Sequence, residues 1–383
     1  MTIFWRGASS GRLALVLVGV LILFSLAGAV LPQEGLYAPG DIARWQEQHP
    51  IITALMKPVG FFRVFHSIPF LVTIFLLAIN TLTCTVVRFF KEGAISAFKG
   101  PKALRNIGFI ILHLSLIALF IGGAWSSAVR MDGYIILTEG QSFREEHNNY
   151  LRIVEGPFRP EYHREFVVRL DKVKVTYQNK NYLIDMTSNL EFQMNKNNKD
   201  KVTKAVIKVN QPFTFEGVNF TQDQVGFSPR LVIRDRLTGR LLVNSYVALK
   251  TFRYGQEREY RDFLPLPFFK QQVIVTLYPS YIRVDGQVKK SGEEPENPIL
   301  LVEMEDDTGQ KVLQDEISLG GSITLGKYSL GFVDLRRWSS FRVVEDPGYA
   351  VVWIALLVGL GGFILRYLPE LRGWFKEERK PGS

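Results

Sequence analysis

The sequence predicts a membrane protein with four transmembrane helices, three before and one after a large extracytoplasmic all-β domain of sandwich or open-barrel type. Three observations predict it. Long uncharged apolar runs fall within residues 13–126 and 349–365 of the 383. Residues 127–348 instead carry short runs of β-branched and aromatic residues separated by turn signals, the pattern of strands. Basic residues gather on the segments that one orientation in the bilayer would leave in the cytoplasm. The expected organisation is residues 1–126 for the first three helices, 127–348 for the β domain, and 349–383 for the last helix and a basic tail.

A helix that crosses a bilayer needs about 20 apolar residues. Leu13–Leu31 is free of charge. Arg6 and Arg12 before it and the triplet Ala27-Gly28-Ala29 give it the outline of a signal peptide. Its apolar stretch exceeds the about 7–15 residues usual there, so it is expected to remain as an anchor. Ile51–Phe65, with Phe61, Phe62 and Phe65 beside Lys57 and Arg63, reads as a segment lying along the outer interface. Pro69–Val87 is the second helix and holds Asn80, Thr81, Thr83 and Cys84 in its second half. Ile107–Ser126 is the third and holds one ionisable group, His113. Tyr349–Leu365 is short and follows Asp346-Pro347-Gly348, an N-cap with proline at the first turn.

The net charge of +9 is unevenly spread. Residues before the first helix carry +2, residues 32–68 carry 0, residues 88–106 carry +4, residues 126–348 carry +1 and the tail after 365 carries +2. The positive-inside rule then puts both termini and the 88–106 loop in the cytoplasm and the large domain outside. A pI near 9.4 often accompanies nucleic-acid binding, but here orientation accounts for the excess and the exported domain is nearly neutral, so no nucleic-acid partner is expected. One cysteine excludes a disulfide within the chain and thiol exchange between two of its own cysteines. The helices hold too few polar groups for a transporter path. With no transit-peptide composition at the start, the expected location is the bacterial plasma membrane.

Expected strands in the β domain are Tyr134–Thr138, Tyr150–Val154, Phe166–Tyr177, Ala205–Val209, Arg230–Ile233, Gln272–Leu277, Ile299–Met304 and Ser329–Val333. Turns are expected at Asp132-Gly133, Glu216-Gly217, Thr238-Gly239, Asp285-Gly286 and Thr308-Gly309. Lys196–Lys201 and Ser291–Pro298 read as exposed loops. The domain has no G-x-S-x-G, H-E-x-x-H, P-loop or cysteine pair, so no catalytic residue is assigned. His147 and His163 read as surface histidines or as contacts to haem or a metal.

His113 is the sharpest candidate. An ionisable residue inside a membrane helix is costly and is by default functional, and neutral imidazole is a common iron ligand. Phe109, Ile110, Leu116, Ile117 and Phe120 lie near it on the same helix face, a bulky apolar surface around one nitrogen donor. The opposite face carries Gly108, Ser115, Ala118 and Gly122, which lets a neighbouring helix approach closely. The residues alone leave two readings: a ligand to the iron of a flat porphyrin, or a histidine hydrogen-bonded to a neighbouring helix through Asn80 or Thr83. Cys84 and Asn80 read as packing residues, Asn80 also as a polar partner between helices. His49 and His66 read as interfacial or exposed turn residues, with ligation as the alternative.

The order of elements resembles the ResB (CcsB) family of system II cytochrome c biogenesis. The resemblance rests on Leu76-Leu77-Ala78-Ile79-Asn80-Thr81-Leu82-Thr83-Cys84-Thr85, on His113-Leu114-Ser115, on Asn210-Gln211-Pro212 followed by Phe215-Glu216-Gly217-Val218-Asn219-Phe220, and on Asp346-Pro347-Gly348. It implies a haem-handling subunit that carries haem across the membrane for covalent attachment to apocytochrome c, within a haem lyase complex, with His113 as an axial ligand to haem iron. It also implies a membrane partner of the ResC/CcsA type bearing a tryptophan-rich haem-binding segment. The six tryptophans here, at 5, 45, 125, 338, 353 and 374, are scattered, so that segment belongs to the partner. A separate thioredoxin-like thiol reductant is implied as well. The competing reading is a membrane-anchored β scaffold that binds no cofactor.

Overall fold

The structure is a computed structural model that describes residues 9–34, 39–91, 103–161, 163–178, 182–194, 202–254, 257–264, 266, 272–305 and 311–377. The expected loop Lys196–Lys201 and turn Thr308-Gly309 lie outside the described residues. The chain divides into two compact units, Met1–Ala128 with Pro347–Ser383, and Val129–Asp346.

The first unit is helical: α1 (Gly11–Val30), α2 (Pro39–Gln48), α3 (Pro50–Met56), a 3-10 turn Phe61–His66, α4 (Ile68–Lys91), α5 (Ala103–Val129) and α6 (Gly348–Glu377). Among the described residues α1, α4, α5 and α6 are long and apolar enough to cross a bilayer. Their faces are apolar and largely uncovered, as lipid-facing helices require. Between α1 and α4 the chain does not lie as one amphipathic stretch. Phe62 and Val64 are buried, and Gly28 of α1 gives Val64 room, because a Cβ there would come 2.5 Å from its side chain. Gln33 fastens this corner, accepting from the Val64 amide at 3.0 Å and donating to the Phe61 carbonyl at 3.0 Å.

α5 and α6 pack through their smallest residues. A Cβ on Gly108 would lie 2.4 Å from the Arg366 amide nitrogen, one on Gly362 would lie 2.6 Å from the Leu112 nitrogen, and one on Gly359 would lie 2.6 Å from the Ser115 hydroxyl. Gly108, Ser115 and Gly122 are buried. The small face expected of this helix thus receives another helix at backbone distance, the packing mode that substitutes for a hydrophobic drive inside lipid.

The second unit is all-β, and among the described residues none of its sheets closes into a barrel. Its spine is a pair of antiparallel strands of 18 residues each, Val218–Asp235 and Tyr328–Glu345, paired from Tyr328 opposite Asp235 to Val344 opposite Asn219 with register shifts between Phe332 and Asp334 and between Ser339 and Phe341. At the usual rise per residue each is about 60 Å long. Near one end Val218, Phe220, Val225, Phe341 and Val343 share a core with Val168, Leu170, Leu190 and Phe192 of a four-stranded sheet. Near the other, Phe227, Leu231, Leu330 and Phe332 share a second core with Tyr260, Val273, Val275 and Val302 of a five-stranded sheet. One ribbon therefore backs two cores. Gly226 stands where it passes from one to the other: a Cβ there would fall 2.6 Å from the Trp338 indole, whose Nε1 donates to the Leu249 carbonyl at 3.0 Å.

Two expectations are corrected. Asp132-Gly133 is no turn but part of the strand Met131–Thr138. Gly133 is there because the Tyr150 ring lies against its backbone, 2.3 Å from where a Cβ would be. Within Ser291–Pro298, Glu293 is buried, accepting from the Tyr260 hydroxyl at 2.7 Å and pairing with Lys290 at 2.5 Å. Glu216-Gly217 and Asp285-Gly286 do form hairpin turns, both residues of each pair at positive φ.

Candidate functional site

The helical unit contains a cavity of about 840 Å³ walled by α1, α4 and α5. The start of α1 contributes Gly11, Ala14 and Val18, the C-terminal half of α4 contributes Asn80, Thr81, Cys84 and Arg88, and α5 contributes Phe109, His113, Leu116 and Phe120. Its size lies within the range of small-molecule and cofactor sites, about 300–1,000 Å³.

His113 is held by its own helix. Its Nδ1 is 3.0 Å from the Phe109 carbonyl oxygen. A carbonyl only accepts, so Nδ1 carries the proton and the neutral ring keeps the Nε2 lone pair for a ligand or metal. The ring stacks obliquely on Phe109, centroids 3.8 Å apart. The Arg88 guanidinium covers Phe109, 4.2 Å from its ring centre. Arg88 and Arg366 both lie near enough to act electrostatically on His113. The site thus offers one nitrogen donor, an apolar aromatic wall and positive charge toward the C-terminal end of α4.

The hydrogen-bonded alternative for His113 through Asn80 or Thr83 does not match the geometry. Asn80, buried at 2% exposure, donates to the Ser10 carbonyl at 3.2 Å, and Thr83 donates to the Ile79 carbonyl at 2.7 Å. Cys84 points its Sγ at Asn80 Oδ1 from 3.9 Å, a packing position on the cavity wall. Of the α5 residues singled out, Phe109, Leu116 and Phe120 line the cavity, while Ile110 and Ile117 are not among its lining residues. At about 100° per residue, positions 109, 116 and 120 fall to one side of His113 and positions 110 and 117 to the other. Arg88 is the site residue that sequence reasoning missed. In the sequence it is only one charge of the basic 88–106 segment, yet it occupies the last turn of α4 and covers the Phe109 ring of α5.

The other histidines separate into two kinds. His49 stacks on Trp45 at 4.3 Å and donates from Nδ1 to the Trp45 carbonyl at 2.9 Å, which makes it part of a helix end; His66 is exposed. His147 and His163, 16 residues apart in sequence, come together in the β domain with ring centres 5.8 Å apart.

An apolar helical unit with a histidine-bearing cavity, followed in the chain by an all-β domain, defines a membrane protein of mixed helical and β architecture. The chain belongs to the ResB-like family, whose sequence profile matches residues 12–92 and 90–383. It is similar to the cytochrome c biogenesis protein CcsB of Nostoc sp., 20% identical over 417 aligned positions that cover 95% of this chain and 84% of the relative. The protein of the same name from Trichormus variabilis gives the same identity and coverage. That of Microcystis aeruginosa is 19% identical over 288 positions, 75% of this chain and 57% of the relative.

Proposed function

We propose that this chain is a haem-handling subunit of cytochrome c biogenesis, and that the α1–α4–α5 cavity receives haem with His113 Nε2 as an axial ligand to the iron. One observation carries the reading: the Nδ1 bond to the Phe109 carbonyl leaves Nε2 as the free donor in a cavity large enough for a cofactor. Phe109, Leu116 and Phe120 would lie against the porphyrin, and Arg88 and Arg366 would offset its propionates. The family and its CcsB-named relatives support a place in cytochrome c assembly. On that reading, haem enters from the cytoplasmic side, both termini are cytoplasmic, and the β domain faces the extracytoplasmic side of a bacterial plasma membrane. A second membrane protein of the CcsA type supplies the tryptophan-rich segment and a further ligand, apocytochrome c receives the haem, and a thioredoxin-like protein keeps its thiols reduced. On this reading the bond-forming chemistry is carried out by the complex as a whole.

The test is the visible spectrum of the full chain purified with its partner from haem-replete cells. The expected result is a Soret band that His113→Gly weakens and added imidazole restores. A colourless complex, or a band indifferent to His113→Gly, favours the cofactor-free scaffold.

A further inference from the structure

We propose that the β domain carries a divalent transition-metal site made by His147, Glu155 and His163, separate from the membrane cavity and independent of its reading. Their three ligand atoms lie within 4.8 Å of one another. His147 sits in a 3-10 turn, Glu155 ends an edge strand and His163 lies in the following loop, so one short stretch of chain folds back to bring them together. His147 Nδ1 is 2.9 Å from Glu155 Oε2, and His163 Nε2 is 3.9 Å from Glu155 Oε1.

What distinguishes this group from a surface ion pair is the layer behind it. His163 turns its Nδ1 to the carboxylate of Glu145 at 2.6 Å, which leaves Nε2 facing the site with its lone pair. Glu145 is itself buried at 1% exposure. It accepts from the Tyr150 hydroxyl at 3.1 Å and from the backbone amides of Arg164 and Glu165 at 2.6 and 3.2 Å. Burial, followed by the nearby Glu145 charge, pushes the Tyr150 hydroxyl far up from its ordinary pKa, so it stays a donor. A carboxylate that fixes a histidine tautomer in this way is the usual support of a metal-ligating imidazole.

Glu155 is arranged for one-oxygen ligation. The Arg159 guanidinium stands 2.8 Å from its Oε1 and 2.9 Å from Glu345, which leaves Oε2, the oxygen facing His147, for a cation. Arg164 also pairs with Glu345. Three carboxylates, Glu145, Glu155 and Glu345, thus face the two guanidiniums of Arg159 and Arg164. Two imidazoles and one carboxylate with a position left for water match zinc or a similar first-row dication. His147, half-exposed, can close the remaining distance by a side-chain rotation. The ion would pin this corner of the domain, where Gly156 also donates to the Arg130 carbonyl at 2.8 Å.

The test titrates Zn²⁺ alone into the full-length protein in detergent, with the His113→Gly chain as host so that haem ligation plays no part. The expected result is one saturable site, a rise in melting temperature, and tetrahedral d–d absorption when Co²⁺ replaces Zn²⁺. His147→Ala, at an exposed position that folding does not require, is expected to weaken binding at least about tenfold, and Glu145→Gln, which touches no ion, by about 10–100-fold. The proposal fails if no saturable binding is seen, or if His147→Ala and a His147→Ala/His163→Ala chain bind Zn²⁺ as tightly as their host.

Discussion

Along α5, Gly108, Ser115 and Gly122 meet α6 at backbone contact, whereas Phe109, His113, Leu116 and Phe120 look into a cavity. The two sides belong to one helix of unremarkable length, and their difference is a matter of side-chain size. Inside lipid, close approach needs small residues. Bulky ones hold neighbouring helices apart, and the space between them then depends on what fills it. The lesson is that a helix in a bilayer can be glued on one side and left receptive on the other by a period of about seven residues.

The strongest way to break this comparison is to put bulk on the glued side. Gly108→Val would drive a branched side chain into the Arg366 backbone. The expected cost is about 1–3 kcal/mol, as for overpacking elsewhere, read as a lower thermal midpoint of the full-length protein in detergent; an unchanged midpoint would mean that α5 and α6 are not joined there. A smaller effect is expected on the receptive side. Phe120→Ala removes part of the cavity wall and should cut the haem retained by the purified complex by about tenfold at most, or about 1.4 kcal/mol, with little change in midpoint. The smallest is expected at Ile117→Ala, outside the lining, which should leave haem content unchanged and stability within about 0.5 kcal/mol. Equal haem loss in the Ile117 and Phe120 variants would move the guest to another surface of the helix.

Much of this division was legible in the sequence. Glycine and serine at 108, 115 and 122 announced a contact face, and a histidine in an otherwise apolar helix marked the side that the cavity meets. What was not legible is which flank of His113 is open, since positions 110 and 117 lie as near in angle as 109 and 116; only the location of α1 and α4 decides it. Arg88 escaped because a cation at a helix end serves topology equally well. In the β domain, expected strands at Arg230–Ile233 and Ser329–Val333 were fragments of the two long spine strands. Around Gly226, Ser228, Pro229, Ser339 and Ser340 the spine is buried, so the apolar–polar alternation that betrays a half-exposed strand disappears. Small residues there make room for Trp338, and small polar residues look like loop. Gly133 misled for a related reason: a glycine demanded by an aromatic ring looks the same in sequence as one demanded by a turn.

The strand Tyr328–Glu345 lies between Met131–Thr138 and Val218–Asp235 in its sheet, although it is the last strand to leave the ribosome. During biosynthesis the two earlier strands must wait for it, and both cores keep an open wall until it arrives. A chain halted before residue 328 would hold nearly the whole domain yet complete neither core. Maturation of the β domain is therefore tied to delivery of its final segment, immediately ahead of α6, and a truncated product should be cleared by proteolysis instead of persisting as a half-built subunit.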